Sequence, residues 1–237
     1  MIRFLVGTVM LVATSVTHAA SFNTLSALTQ DQFKQLSENI AAAAQYKGIT
    51  PPEPLGIIGF DIGLSLSHTG IEVDSVFDAA SEGDFDVSGL VLPRLTVHKG
   101  LPLGIDIGAS ATGAPGTDIK ILGAEIRYAL LDGGVATPAV GIRASGSVIQ
   151  GVDEMDMTNI GLDISASKGL LMFTPYIGAG VLRTTATPND AGTLEEETLS
   201  QTKVFAGLNV NLGINFTLEA DKTGDYTSYS AKAGFRF

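Results

Sequence analysis

Cysteine and tryptophan are both absent from the 237 residues. The lack of cysteine excludes disulfide bridges and thiolate metal sites. Basic residues are also few, with 14 Lys and Arg against 25 Asp and Glu and a formal net charge of −11. This acidic balance argues against a nucleic-acid partner, which would need clustered Lys and Arg. Beyond the first residues, no apolar run reaches the roughly 20 residues that a spanning helix requires.

The chain begins with the features of a secretory signal. Arg3 supplies a positive start, an apolar stretch covers residues 4–13, and small residues follow at 17–20. A membrane anchor is the alternative, but the apolar stretch is too short for a spanning helix. The pattern predicts a signal peptide over residues 1–20, with cleavage after Ala19 or Ala20.

The last eleven residues alternate strictly between two kinds of side chain. One face carries Tyr229, Phe235 and Phe237 with small residues between them, and the other carries Lys232 and Arg236. Period-two alternation is typical of a strand whose two faces meet unlike surroundings. The segment also matches the roughly 9–11 residues that a tilted strand needs to cross a bilayer.

Similar alternation recurs upstream, from the segment at residues 58–67 to the one at 214–221. Short and long connections alternate between the segments, and the polar face is rich in Gly, Ser and charges of both signs. A soluble sandwich would also alternate, but a narrow closed lumen explains this polar face better. We therefore predict an antiparallel transmembrane β-barrel of about ten strands over residues 56–237. Eight strands, or twelve with an extra hairpin at 71–87, are the alternatives.

With its signal peptide, repeated alternation and terminal Phe237, the chain resembles bacterial outer-membrane β-barrel proteins. The resemblance implies the outer membrane of a Gram-negative bacterium, with the N-terminus in the periplasm. It also implies that Tyr229, Phe235 and Phe237 form the signal that the barrel assembly machinery reads. The implied partners are that machinery, outer-membrane lipid and lipopolysaccharide. No motif singles out one subfamily.

A short helix is predicted before the barrel, within residues 21–55. Thr29 and Gln32 have the spacing of a capping box, and Phe33, Leu36 and Ile40 lie on one helical stripe. Gly48 is placed to end the helix, and a Pro-rich linker follows. We expect a periplasmic amphipathic helix. Its stripe could plug the lumen, lie on the inner leaflet or dock a partner, or the segment could be a leader without a role.

Twelve charged residues face the lumen by strand parity. A charge in a narrow barrel is costly unless it is paired, so we expect ladders of ion pairs across the strands. A structural network that fills the lumen and a path for ions or small solutes both fit this expectation. These residues are Asp61, Arg94, Asp106, Glu125, Arg127, Arg143, Asp163, Lys203, Glu219, Asp221, Lys232 and Arg236.

The excess negative charge lies in the longer connections. Charge runs are usually solvated, although carboxylates also suit divalent cations or could concentrate cations at a pore mouth. No calcium-loop spacing occurs, and we predict no metal site. The acidic residues include Glu72, Asp74, Asp84, Asp86, Asp153, Glu154, Asp156, Glu195, Glu196 and Glu197.

These observations predict an integral outer-membrane protein without a cofactor. Its expected role is a narrow channel, a carrier of small ligands or a structural envelope protein. Binding or adhesion through the acidic loops is the alternative. An enzyme, a protease or a lipid-modifying barrel, is the less favoured class. Parity turns His68 toward lipid, and the inward-facing His98 has no obvious nucleophile and orienting carboxylate at its level.

Overall fold

The computed structural model describes residues 25–71, 89–113, 119–134, 136–189 and 192–237. The predicted signal peptide and the acidic residues Glu72, Asp74, Asp84 and Asp86 lie outside them. Within the described residues the chain forms one α-helix, α1 (Gln30–Ala44). It also forms ten β-strands: β1 (Phe60–Gly70), β2 (Gly89–Gly100), β3 (Ile105–Gly113), β4 (Lys120–Asp132), β5 (Ala139–Gln150), β6 (Met155–Ser167), β7 (Phe173–Pro188), β8 (Glu197–Asn211), β9 (Asn215–Thr223) and β10 (Tyr226–Arg236).

The ten strands close into one antiparallel barrel. Each strand pairs with its neighbours in the chain, and β1 closes the ring by pairing with β10. Gly63 lies opposite both Gly234 of β10 and Thr96 of β2. Because β1 pairs directly with β2, the ring of described strands leaves no place for a hairpin between them. Residues 72–87 of the hairpin considered from the sequence lie outside the described residues. The prediction of a ten-stranded barrel is confirmed, and eight or twelve strands are excluded.

Alternation along the strands separates an apolar outside from an inside that is largely polar. In β1, Ile62, Leu64 and Leu66 are exposed, whereas Asp61 and Ser65 are buried. The same period-two pattern runs through the neighbouring strands because successive side chains point to opposite faces. Its outward row presents aliphatic side chains around the barrel, the architecture of membrane-spanning barrels.

The two ends of the barrel differ. At one end, which we call the short-turn end, β2–β3, β4–β5, β6–β7 and β8–β9 are joined by connections of a few residues, and Phe60 and Phe237 lie beside each other. At the other, the long-loop end, residues 71–88, 114–119, 151–154 and 189–196 connect the strands. The β9–β10 connection there is shorter than the sequence suggested, because Gly224 turns the chain at a positive φ of 58°.

Helix α1 lies inside the barrel and contacts β1, β5, β6, β7, β8 and β10. Its predicted capping box is present, with Thr29 and Gln32 bonding reciprocally. The helix ends at Ala44, before Gly48, because Gln45 is extended and bonds to Thr223 of the wall. No helix in the described parts of the chain is long and apolar enough to cross a membrane.

The position of α1 differs from the expected periplasmic one. The exposed side chains of α1, such as those of Asp31, Lys34 and Gln35, belong to its first turns, while residues 39–44 are all buried. A helix on a membrane surface would keep one polar face along its whole length. The sequence had left a position in the lumen open, and the structure adopts it.

Candidate functional site in the barrel lumen

Residues 25–55, which we call the plug, run through the lumen from end to end. Gln30 bonds to the backbone carbonyl of Glu195 at 3.1 Å and to the carboxylate of Glu197 at 2.5 Å, at the long-loop end. At the short-turn end, the amide of Leu55 donates to the Asp106 carboxylate at 3.1 Å. The chain then turns into β1. The lumen is thus filled by the protein's own N-terminal segment.

The half of the lumen nearer the long-loop end is an apolar core around α1. Phe33 and Leu36 of the helix are completely buried, and Leu25, Leu28 and Ile40 are at most 7% exposed. They belong to one cluster with inward-facing wall residues, namely Leu92, Ile121, Ile149, Met155, Met157, Leu182 and Ala186. Sequence reasoning missed this core, since it assigned only a polar face to the lumen.

Burial of these five plug side chains favours the filled lumen strongly. A buried aliphatic or aromatic side chain contributes about 1.5 to 3 kcal/mol, so the five together contribute roughly 8 to 15 kcal/mol. Withdrawal of the entire plug would also expose the apolar wall to water. Both effects oppose withdrawal of the plug.

Below α1 the plug is extended and its partners are polar. Lys47 is 1% exposed, and its Nζ lies 2.5 and 2.8 Å from the two carboxylate oxygens of Asp221. Arg94 donates to the backbone carbonyls of Gln45 at 3.1 Å and Lys47 at 3.4 Å. Ser147 donates to the carbonyl of Ala44 at 2.9 Å. Side chains of the wall thus donate to backbone carbonyls at and after the end of α1, which have no hydrogen-bond partner within the helix.

Near the short-turn end, arginines of the wall hold the linker. Arg127 donates to the carbonyl of Pro51 at 3.2 Å. Arg236 donates to the hydroxyl of Thr50, and to the carbonyl of Glu53 at 2.8 Å. Because prolines at 51, 52 and 54 lack amide donors, carbonyl acceptors dominate this stretch and arginine donors match them.

All twelve predicted lumen residues lie on the inner face, and most of them pair. Glu125 is at the centre of one group, with Arg127 Nε at 3.1 Å and Arg143 at 3.7 Å. Arg143 and Lys203 pair with Asp163 at 2.5 and 3.8 Å, and Arg127 with Asp106 at 3.0 Å. Lys232 and Arg236 pair with Asp61 at 2.6 and 3.8 Å. Glu219 accepts from the Tyr176 hydroxyl at 2.6 Å.

The network's geometry is that of a packed interior. Six wall residues are acidic and six basic, so the wall has little net charge of its own. The plug adds the cation Lys47 to Asp221, which sequence reasoning had not connected to the wall. Phe205 fills the space between cations, with Lys203 at 5.2 Å and Arg143 at 5.6 Å from its ring centre.

The inward-facing histidine belongs to the same packed region. His98 Nε2 lies 3.0 Å from the hydroxyl of Tyr46 and 3.3 Å from Glu125 Oε1, and its side chain is fully buried. The ring covers Gly108, where an added Cβ would lie 2.3 Å from the imidazole. His68 is exposed on the outer face, beside Tyr229 on β10.

The described acidic rim residues lie in the β5–β6 and β7–β8 connections and at the adjoining strand ends, and two of them contact the plug. Asp153, Glu195 and Glu196 are exposed, Asp156 is on the outer face of β6, and Glu197 bonds to Gln30. Within the described part of the chain, no three acidic or histidine side chains converge as ligands of a metal ion would. On α1, burial raises the pKa of Glu38, against the opposing effect of Lys34.

The three predicted assembly residues lie on the outer face at the end of the chain. Tyr229 is 64% exposed, Phe235 52% and Phe237 68%. The Phe237 amide donates to the carbonyl of Phe60 at 2.9 Å, and the two rings lie 4.8 Å apart. The terminal residue therefore joins the closing pair of strands.

Solved structures with some likeness to the chain are β-barrels. The N-terminal β-barrel domain of OprF from Pseudomonas aeruginosa is 13% identical over 74% of this chain and 97% of its own, with a TM-score of 0.38. Neisserial surface protein A is 10% identical over 75% and 94%, with a TM-score of 0.32. The KdgM porin is 10% identical over 74% and 99%, with a TM-score of 0.37.

No protein-family model matches the chain, and no curated protein matches it. The TM-scores of the three structures are too low for them to bear on function. The barrel's own geometry therefore carries the functional argument.

Proposed function

We propose that the protein is an integral outer-membrane β-barrel of a Gram-negative bacterium, with a lumen that its own N-terminal segment closes. Its apolar outer face and closed ring suit a bilayer, where unpaired strand edges are not tolerated. Its alternating terminal strand and outward Phe237 support assembly by the outer-membrane machinery. The outer face contacts outer-membrane lipid and lipopolysaccharide.

The apolar core around α1 is the observation that carries the closed lumen. A porin lumen is lined by polar groups that meet water, whereas Leu92, Ile121 and Met157 here belong to one buried apolar cluster with Phe33 and Leu36. The protein therefore acts as a sealed structural component of the envelope. Any binding of partners, including divalent cations, takes place at the acidic long-loop rim.

A narrow channel is the second candidate, and the charged half of the lumen favours it. There the plug is an extended segment without strand pairing, held by side chains such as Arg94, Arg127 and Arg236. These side chains would line a polar path if the plug moved. Opening would require an input of free energy that offsets the burial lost when the apolar core separates. The channel thus conducts only in a state other than the described one.

We propose no catalytic activity. His98 is sealed between Tyr46 and Glu125, and its surroundings leave no room for a substrate. His68 faces outward on β1, toward the lipid. Neither histidine lies beside a nucleophile in a cleft that a substrate could enter.

Conductance of the refolded full chain in planar bilayers tests this proposal. We expect the wild-type protein to be silent and Leu36→Asp, which places a charge in the apolar core, to show openings. Gln35→Asp, at an exposed position on the same helix, is the matched control and should stay silent. Heat-dependent gel mobility confirms folding of each variant. Steady openings of the wild type would overturn the closed lumen.

A further inference from the structure

Large apolar side chains project from the short-turn end of the barrel. Leu171 is fully exposed, Ile58 is 91% exposed and Leu103 is 85% exposed. Leu170, Leu212 and Ile57 are exposed by more than half. These six residues, which we call the apolar collar, lie in the turns β2–β3, β6–β7 and β8–β9 and in the segment before β1. Turns that extend into water are normally polar, with Gly, Asn, Asp or Pro.

Two members of the collar occupy positions that do not suit leucine. Leu103 has φ +66° and Leu171 has φ +58°, the left-handed region that glycine adopts readily and L side chains rarely do. Neither side chain packs against the protein, so the fold gains nothing that offsets the strained backbone. The surroundings of the turn tips are what would favour an apolar side chain there.

Two lysines at this end donate to backbone carbonyls of the neighbouring turns. Lys99 donates to the carbonyls of Ile57 at 2.6 Å and Gly59 at 3.1 Å. Lys168 donates to the carbonyls of Gly134 at 2.8 Å and Thr137 at 3.1 Å. Each ammonium group thus has acceptors within the protein, as a lysine close to hydrocarbon requires.

We infer that the apolar collar is immersed in the membrane leaflet next to the short-turn end, so that contact with lipid continues past the ends of the strands. The collar is continuous with the apolar outer face through Phe60, Phe173 and Phe237, which are all exposed. Its members come from the segment before β1 and from three of the four turns at this end, so they lie on more than one side of the barrel. A lipid leaflet surrounds a barrel in this way, whereas a protein partner would cover one side. This inference rests on the proposed membrane location.

The natural lack of tryptophan allows a direct test. Leu103→Trp and Leu171→Trp each place a single fluorophore on the collar, and both retain a bulky side chain at the same backbone angle. Leu64→Trp reports from the lipid-facing wall, where Leu64 is 66% exposed. Thr193→Trp reports from the exposed β7–β8 loop. Each full chain is refolded into phospholipid vesicles, and quenching is compared for acyl chains brominated at different depths and for aqueous iodide.

We expect both collar variants to be quenched by shallow bromines about as strongly as Leu64→Trp is by deep ones, and to resist iodide. Iodide quenching equal to that of Thr193→Trp, with Leu64→Trp still quenched by bromine, would overturn the collar but keep the barrel in the membrane. Failure of bromine to quench any variant, including Leu64→Trp, would instead overturn the proposed membrane location. Collar variants shielded from both quenchers would indicate a protein contact and would also overturn the inference.

Discussion

Replacement of Phe33 with alanine tests whether the plug is part of the hydrophobic core. Phe33 has no exposed surface and packs in the cluster that joins α1 to the wall. Removal of a buried phenyl group typically costs about 3 to 5 kcal/mol, from lost burial and the cavity left behind. Since about 1.4 kcal/mol is a factor of ten, the equilibrium between the seated and released plug should shift more than about 100-fold.

Lys47 provides an internal reporter for this shift. Its side chain is buried in the lumen against Asp221, so trypsin can cut after it only when the extended segment leaves the barrel. When opening and closing are fast, the cleavage rate follows the population of the open form. We therefore expect cleavage after Lys47 to accelerate about 100-fold or more in Phe33→Ala. Gln35→Ala, at an exposed position of the same helix, should leave the rate unchanged.

Equal cleavage rates in Phe33→Ala and the wild type would refute the reasoning, because they would show that the apolar contacts of Phe33 do not stabilise the seated plug. Global unfolding must be separated from local release. Cleavage at Arg127, which is buried in β4, would accompany global unfolding but not withdrawal of the plug. Mass spectrometry of the fragments distinguishes the two events.

Three further predictions concern single contacts. Lys47→Met should lower the free energy of unfolding by about 3 to 5 kcal/mol, because it leaves the Asp221 carboxylate buried without its cation. The double variant Lys47→Met with Asp221→Asn should regain much of that loss. The urea midpoint of unfolding is measured for each variant. Phe237→Ala should impair assembly, and normal amounts of heat-modifiable protein extracted from membranes would contradict that role. The raised pKa of Glu38 means that the folded state binds this proton more tightly than the released segment does. Seating of the plug should therefore weaken as pH rises above the ordinary pKa of glutamate. Hydrogen exchange of α1 measures this dependence on pH, and Glu38→Gln should abolish it.

The barrel could be predicted because its physics is local to each strand. Alternation in a segment such as residues 58–67 fixes which side chains face lipid, and the turns between segments fix antiparallel neighbours. The capping box at Thr29 and Gln32 is equally local, since three residues of separation decide it. Ring closure between β1 and β10 follows from the need to leave no edge in lipid.

The interior of the lumen was harder to predict because the contacts between plug and wall join residues that are far apart in the sequence. Parity shows that Asp221 faces inward, but not that Lys47, far away in the chain, reaches it. The sequence indicates the apolar half of the lumen only weakly, through pairs of consecutive apolar residues near the long-loop end. Ile121 with Leu122 and Val148 with Ile149 are examples. Each pair makes both faces of a strand apolar, as an occupied lumen requires, whereas a water-filled lumen would need one polar member.

The closed lumen is the central claim, and a disulfide between plug and wall tests it most directly. Ser147 Oγ lies 2.9 Å from the Ala44 carbonyl, and the chain has no native cysteine to interfere with the pair Ala44→Cys and Ser147→Cys. Single-channel recordings of the full chain would be made with this pair oxidised and reduced. The account predicts silence in both states, with formation of the bond checked by mass spectrometry. Openings that appear on reduction and vanish on oxidation would contradict it, because they would show that the plug leaves the lumen spontaneously.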